Sequence, residues 1–104
     1  MRILIVDDEQ LARERMIRII TEQLQDHEIV GEAQNGIEAL EKIQSLNPEV
    51  VILDIRMPGM DGLEVARHLM NLDAPPAIIF SNGYKALGAY PAVEIEKIWQ
   101  QAGL

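Results

Sequence analysis

Ile3-Leu4-Ile5-Val6-Asp7-Asp8-Glu9 sets four consecutive apolar residues directly before a pair of acids, and Val50-Val51-Ile52-Leu53-Asp54 delivers a third acid in the same way. Runs that are apolar at consecutive positions, rather than alternating, belong to strands covered on both faces. With two further β-rich runs, strands are expected over 2–6, 28–33, 49–54 and 76–81. Between them apolar residues recur at helical spacing. Leu11, Ala12, Met16, Ile19, Ile20 and Leu24 mark one helix face, Ile37, Leu40, Ile43 and Leu46 a second, and Leu63, Ala66, Leu69 and Met70 a third. Asn35 before Glu38 and Asp61 before Glu64 have the spacing of a capping box. Asn47-Pro48 and Ala74-Pro75-Pro76 are expected to close the second and third helices. The alternation of strand and helix makes an α/β domain, a doubly wound parallel sheet between helix layers with right-handed crossovers.

That architecture fixes where chemistry sits, because open α/β sheets bind ligands beyond the carboxyl ends of their strands. Asp7 and Asp8 follow the first strand, Asp54 ends the third, and the residues after Phe80 end the fourth, so all reach one edge. Carboxylates gathered there repel one another, and a hard cation such as Mg²⁺ relieves the conflict by taking one or two of them with water. A cation so held can bind the oxygens of a transferring phosphoryl group while an aspartate supplies the nucleophilic oxygen. Asp54 is the better nucleophile, since a strand end positions it rigidly. Plainer roles compete. Asp7-Asp8 alone could favour a helix N-terminus through its dipole, Asp61 suits a helix cap, and Glu9 a first-turn acid. His27 and His68 stand isolated, and Arg13, Arg15 and Arg18 fit a solvated face paired with Glu14 and Glu22.

The 104 residues form a single domain, 1–104, too short for two independent cores, and an apolar content of 48% excludes a disordered chain. With 17 acids against 9 bases the formal charge is −8, which opposes direct nucleic acid binding by this domain. The absence of cysteine removes disulfides, thiolate metal sites and cysteine nucleophiles. There is no basic start followed by a long apolar stretch, and no run near the ~18 residues of a membrane span. A cytoplasmic protein without a membrane partner is expected.

Leu4-Ile5-Val6-Asp7-Asp8-Glu9, followed by Val51-Ile52-Leu53-Asp54-Ile55-Arg56-Met57-Pro58-Gly59-Met60-Asp61-Gly62, closely resembles the receiver domains of two-component response regulators. The resemblance covers about 1–82. Leu11-Ala12-Arg13-Glu14-Arg15 and Pro75-Pro76-Ala77-Ile78-Ile79-Phe80 are most similar to receivers that precede a LytTR-type DNA-binding domain. The likeness implies a flavodoxin-like fold with strand order 2-1-3-4-5. It also implies a phosphoprotein of signal transduction and transcription regulation, which catalyses only its own phosphoryl transfer and dephosphorylation. By the same resemblance Asp54 is the phosphoacceptor, served by the histidine of a sensor histidine kinase. Asp8, Asp54 and the backbone carbonyl of Arg56 would hold Mg²⁺, Asp7 assisting through water, and Pro58 and Gly59 would shape the loop beside the site.

The resemblance ends after the fourth strand and leaves 83–104 as a divergent segment. Receivers carry Thr or Ser at the end of that strand, where its hydroxyl follows the phosphoryl group. A gapless count anchored on Tyr84 puts Asn82 there, with Gly83 at the usual small residue and Ser81 one position early. Because strand side chains alternate, that offset turns Ser81 away from the site unless the strand shifts or bulges; Ser81 and Asn82 are both switch candidates. Ala86-Leu87-Gly88-Ala89-Tyr90 is similar to the Ala-Leu-x-Ala-Phe of the family's fourth helix, with two residues missing before it. The family's fifth strand ends in Lys-Pro, whose Lys pairs with the phosphoryl group, and no Lys-Pro occurs here. If Ala92-Val93-Glu94-Ile95 is that strand, Lys97 is the phosphoryl-pairing candidate. The rival reading is a terminal helix with Pro91 in its first turn, Ile95, Ile98, Trp99 and Ala102 on one face and Gly103 past its end, which takes Lys97 off the site. Without a fifth strand the fourth would be an exposed apolar edge that invites pairing, and a homodimer through 77–104, plain or swapped, is expected.

Three functions follow. The first is a phosphorylatable receiver, which signals by conformational or dimerisation change. The second is a switch-impaired, receiver-like interaction module, given Asn82 and the missing Lys-Pro. The third, a Mg²⁺-dependent phosphohydrolase of the haloacid dehalogenase type, calls for Asp-x-Asp after the first strand, which Asp7-Asp8-Glu9 lacks.

Overall fold

The structure, a computed structural model, describes residues 1–23 and 26–81 together with the backbone of 86–90. Its elements are β1 (Arg2–Val6), α1 (Gln10–Gln23), β2 (Glu28–Ala33), α2 (Gly36–Leu46), β3 (Val50–Asp54), α3 (Gly62–Leu69), β4 (Ala77–Ser81) and β5 (Ala86–Tyr90). They form one sheet of order β2-β1-β3-β4-β5. The first four strands run parallel, in the flavodoxin-like arrangement expected, and each lies within one residue of its expected span.

Consecutive apolar side chains sort by alternation onto two sheet faces. Leu4, Val6, Val51, Leu53, Ile78 and Phe80 pack with Ala39 and Ile43 of α2 and with Leu63, Val65, Ala66 and Leu69 of α3. Ile3, Ile5, Val50 and Ile52 turn the other way and meet Met16, Ile17 and Ile20 of α1. Helices on both faces are the reason these runs admit no polar residue until their ends, since a polar side chain there would be buried without a partner.

The helices sit differently on the sheet than periodicity alone implies. Leu11 is 73% exposed, Ile19 40% and Ile37 65%, whereas Ala12 and Ala39 are buried. Small residues let a helix approach the sheet closely, and the larger apolar neighbours at the rim of the face are then left in water. Leu24 lies outside the described residues. Both expected caps form: the Asn35 side chain accepts from the Glu38 N–H at 2.8 Å, and Asp61 from the Glu64 N–H at 2.9 Å. α2 ends at Asn47, which adopts the left-handed conformation (φ 52°) just before Pro48. α3 ends at Leu69, so Ala74-Pro75-Pro76 leads into β4 instead of closing the helix.

Ala86–Tyr90, for all its likeness to the family's fourth helix, is a strand, and it pairs antiparallel with Ile78–Ser81. Only four residues separate it from β4, too few for a parallel crossover of a dozen or more and enough for an antiparallel return. Gly88 at its centre also weakens a helix. β4 is therefore covered, and the expectation of a bare β4 edge is corrected; the sheet edges among the described residues are β2 and β5. Asn82, Lys97 and both readings of 91–104 lie outside the described residues. Among the described residues no helix is long and apolar enough to cross a membrane.

Candidate functional site

β1 and β3 are neighbours, with Val6 opposite Leu53, so the residues that follow this pair, Asp7 and Asp54, emerge side by side. One carboxylate oxygen each from Asp7, Asp8 and Asp54 lie within 4.8 Å of one another. Asp7 is 5% and Asp54 6% exposed, while Asp8 is open to solvent. Two acids are thus inside the site and the third stands at its mouth.

Each is held by its own element. The Asp7 N–H donates to the Ala33 carbonyl at 3.1 Å, which carries the β1–β2 ladder one residue past β1. Asp7 Oδ1 accepts from the Glu9 N–H at 2.9 Å, a local turn that leads into α1. From α1, Arg13 donates through Nη1 to the Asp7 carbonyl at 2.7 Å and through Nε to Glu32 Oε1 at 3.1 Å. Asp54 Oδ1 accepts from the Arg56 N–H at 3.3 Å. The loop after β3 is pinned by Met57, buried in the core shared with α2 and α3, while Pro58 and Gly59 stay exposed, Gly59 at φ 79°. It returns at Gly62, whose N–H donates to the Ile55 carbonyl at 2.9 Å. A Cβ at Gly62 would lie 2.2 Å from the Asp54 carbonyl oxygen, so the close approach of α3 to the end of β3 requires glycine.

Burial, above all, pushes the Asp54 carboxyl up to about 6, with Asp7 and Asp8 adding repulsion and the Arg56 N–H opposing. Burial likewise raises Asp7, against its bond from Glu9 and the nearby Arg13 cation. Such a cluster holds negative charge at a free-energy cost unless a cation is present. Three oxygen donors that converge on one point, one of them open to water, fit a hard divalent ion.

The structure brings Asp7, Asp8 and Asp54 together, with Arg56 tethered to Asp54 through its N–H. Ser81, 3% exposed, is the register partner of Asp54. Partners in parallel strands project to the same face, so the expectation that Ser81 turns away is corrected. Packing of Leu53 beside Phe80 sets this register, which a count along the chain does not detect. His27 meets the Met1 amine at 3.1 Å, and neither it nor His68 belongs to the acid cluster. Asp61 serves as a cap. The solvated face expected for Arg13 is corrected: it is turned onto the Asp7 backbone, and the sequence signal for this is its place in the first turn of α1, six residues after Asp7.

Residues 3–93 match the family model of the response regulator receiver domain. The positive alginate biosynthesis regulatory protein of Pseudomonas aeruginosa is 53% identical over 85 residues, which cover 81% of this chain and 34% of that protein. The sensory transduction protein LytT of Bacillus cereus is 36% identical over 98 residues, 94% of this chain and 39% of that protein, in agreement with the expected LytTR-type likeness. The chain thus spans well under two thirds of the length of these curated relatives. Among solved structures, the signal receiver domain of the response regulator NarL from Mycobacterium tuberculosis superposes with a TM-score of 0.75 at 33% identity, covering 95% of this chain and 76% of that one. Because the family match runs through all five strands and takes in the acids of β1 and β3, the chain belongs to the response regulator receiver domain family.

Proposed function

We propose that this domain is the phosphoacceptor receiver of a two-component response regulator, taking a phosphoryl group from the phosphohistidine of a sensor histidine kinase onto Asp54. The supporting observation is the convergence of three carboxylates on one strand edge, with Asp54 fixed at the end of β3. An Asp54 oxygen forms the bond to phosphorus as the phosphorus–nitrogen bond to the donor imidazole breaks, and that imidazole takes up a proton. The Arg56 N–H holds one Asp54 oxygen and so fixes the plane of the carboxylate. A carboxyl near 6 leaves Asp54 mostly ionised above neutral pH, as the attack requires. Asp7, Asp8, Asp54 and the Arg56 carbonyl would hold Mg²⁺, which when bound offsets the charge on the phosphoryl oxygens. Ser81, on the Asp54 face, is the hydroxyl best placed to follow the transferred group; Asn82 and Lys97 stay candidates on sequence grounds.

The domain would act in the cytoplasm and catalyse only its own phosphoryl transfer and dephosphorylation. It would bind no nucleic acid itself and would signal through conformation or through a homodimer within 77–104. Intact mass after treatment with Mg²⁺ and acetyl phosphate tests the assignment. A phosphoryl adduct is expected on the wild type and none on Asp54→Asn; adducts on both, or on neither, would overturn it. A second reading, the switch-impaired interaction module, is favoured by the missing Lys-Pro and by the antiparallel β5. It predicts an adduct whose backbone amide shifts stay confined to the site.

A further inference from the structure

We infer that Arg13 is a positioning residue for the cation site, a role that rests on the proposed Mg²⁺ binding by Asp7, Asp8 and Asp54. Its side chain is only 13% exposed and spans three elements. Anchored on α1, it donates to the Asp7 carbonyl at 2.7 Å and to Glu32 of β2 at 3.1 Å. Glu32 is in turn tied to α2, because Lys42 donates to its carbonyl and pairs with Glu38 at 3.1 Å. The Asp7 carbonyl belongs to the peptide unit that joins the two acids. That unit is planar, so fixing its oxygen sets ψ of Asp7 and φ of Asp8 together, and with them the direction in which Asp8 leaves the backbone. Two other bonds hold the loop, the Asp7 N–H on the Ala33 carbonyl and the Glu9 N–H on Asp7 Oδ1, and neither engages the peptide between Asp7 and Asp8. Arg13 is the contact that reaches the peptide leading into Asp8, the exposed ligand.

Two effects of Arg13 on a divalent cation have opposite signs. Its charge repels the ion, and its hold on the peptide aligns the ligands for it. Arg13→Lys keeps the charge and gives up the planar fork, whereas Arg13→Ala gives up both. If positioning dominates, Arg13→Lys loses alignment while retaining repulsion, and it binds Mg²⁺ more weakly than Arg13→Ala does. Calorimetric titration of the metal-free protein with Mg²⁺ reads this without reference to phosphorylation. We expect about a tenfold rise in Kd for Arg13→Lys, the lower end for loss of a group behind a metal ligand, and a smaller rise for Arg13→Ala, with Arg13→Gln in its place should the alanine variant not fold. Arg13→Lys binding like wild type while the neutral variant binds more tightly would mean that charge alone acts, and would overturn the inference. A lowered unfolding midpoint with unchanged Kd in every variant would make Arg13 merely structural and overturn it as well. A wild-type protein that takes up no Mg²⁺ would overturn the cation site itself, and the role of Arg13 with it.

Discussion

At Asp54 the sheet and the solvent make opposing demands. The strand end buries the carboxyl and raises it from 3.8 to about 6. The folded chain therefore keeps a proton at pH values where the unfolded chain has released it. The stability this proton lends is fully present below the unfolded value and is lost as pH rises through the folded one. Asp7, raised by burial as well, acts in the same direction. The thermal midpoint of the metal-free protein is accordingly expected to fall between about pH 5 and pH 7, and Asp54→Asn to raise it at neutral pH by a few degrees, an effect on the order of 2 kcal/mol or less. Added Mg²⁺ should recover the difference in the wild type and do much less for the variant. An Asp54→Asn protein no more stable than wild type at about pH 7 would show that the ionised Asp54 is not under the strain inferred from its burial.

Between β3 and α3, the seven residues of the connecting loop and its cap are organised around one contact, Gly62 against the Asp54 carbonyl. Because a methyl group there meets backbone rather than a flexible side chain, Gly62→Ala must displace either the start of α3 or the end of β3. We expect a loss of about 1–3 kcal/mol, read from the denaturant midpoint, together with slower phosphoryl uptake at Asp54; a variant unchanged in both would refute the tight packing at this junction. The same region shows what sequence can and cannot carry. The apolar runs before Asp7 and Asp54, and the caps Asn35 and Asp61, are intrinsic to their own segments, so they could be read directly. Ala86–Tyr90 could not, because its state is decided by pairing with Ile78–Ser81 and not by its own residues. Ile37 and Leu11 face outward for a related reason: which apolar residues face inward depends on how closely Ala39 and Ala12 let each helix settle. Ser81 and Arg13 took their places from contacts with partners far along the chain or in the backbone, which periodicity does not record.

For the molecule as a whole, the edge available for pairing with a second copy is β5 and not β4. Of the two sheet edges among the described residues, β2 carries Glu28 and Glu32, charges that discourage pairing with another chain. Ala86-Leu87-Gly88-Ala89-Tyr90 carries none. A two-fold axis beside β5 would lay it antiparallel to its own copy, a self-complementary contact that closes as a dimer. Opposing this, each copy brings a formal charge of −8, and that repulsion reaches over a Debye length of about 10 Å at 0.1 M salt. The homodimer expected through 77–104 should therefore strengthen as salt rises, the reverse of a contact driven by opposite charges. Sedimentation equilibrium at about 0.05 M and about 0.5 M salt tests this, with Leu87→Lys, which adds a charge to the edge, expected to shift the population toward monomer at both. A protein that stays monomeric at high concentration in both salts would remove β5 as an interface, and any output would then have to pass through conformation alone.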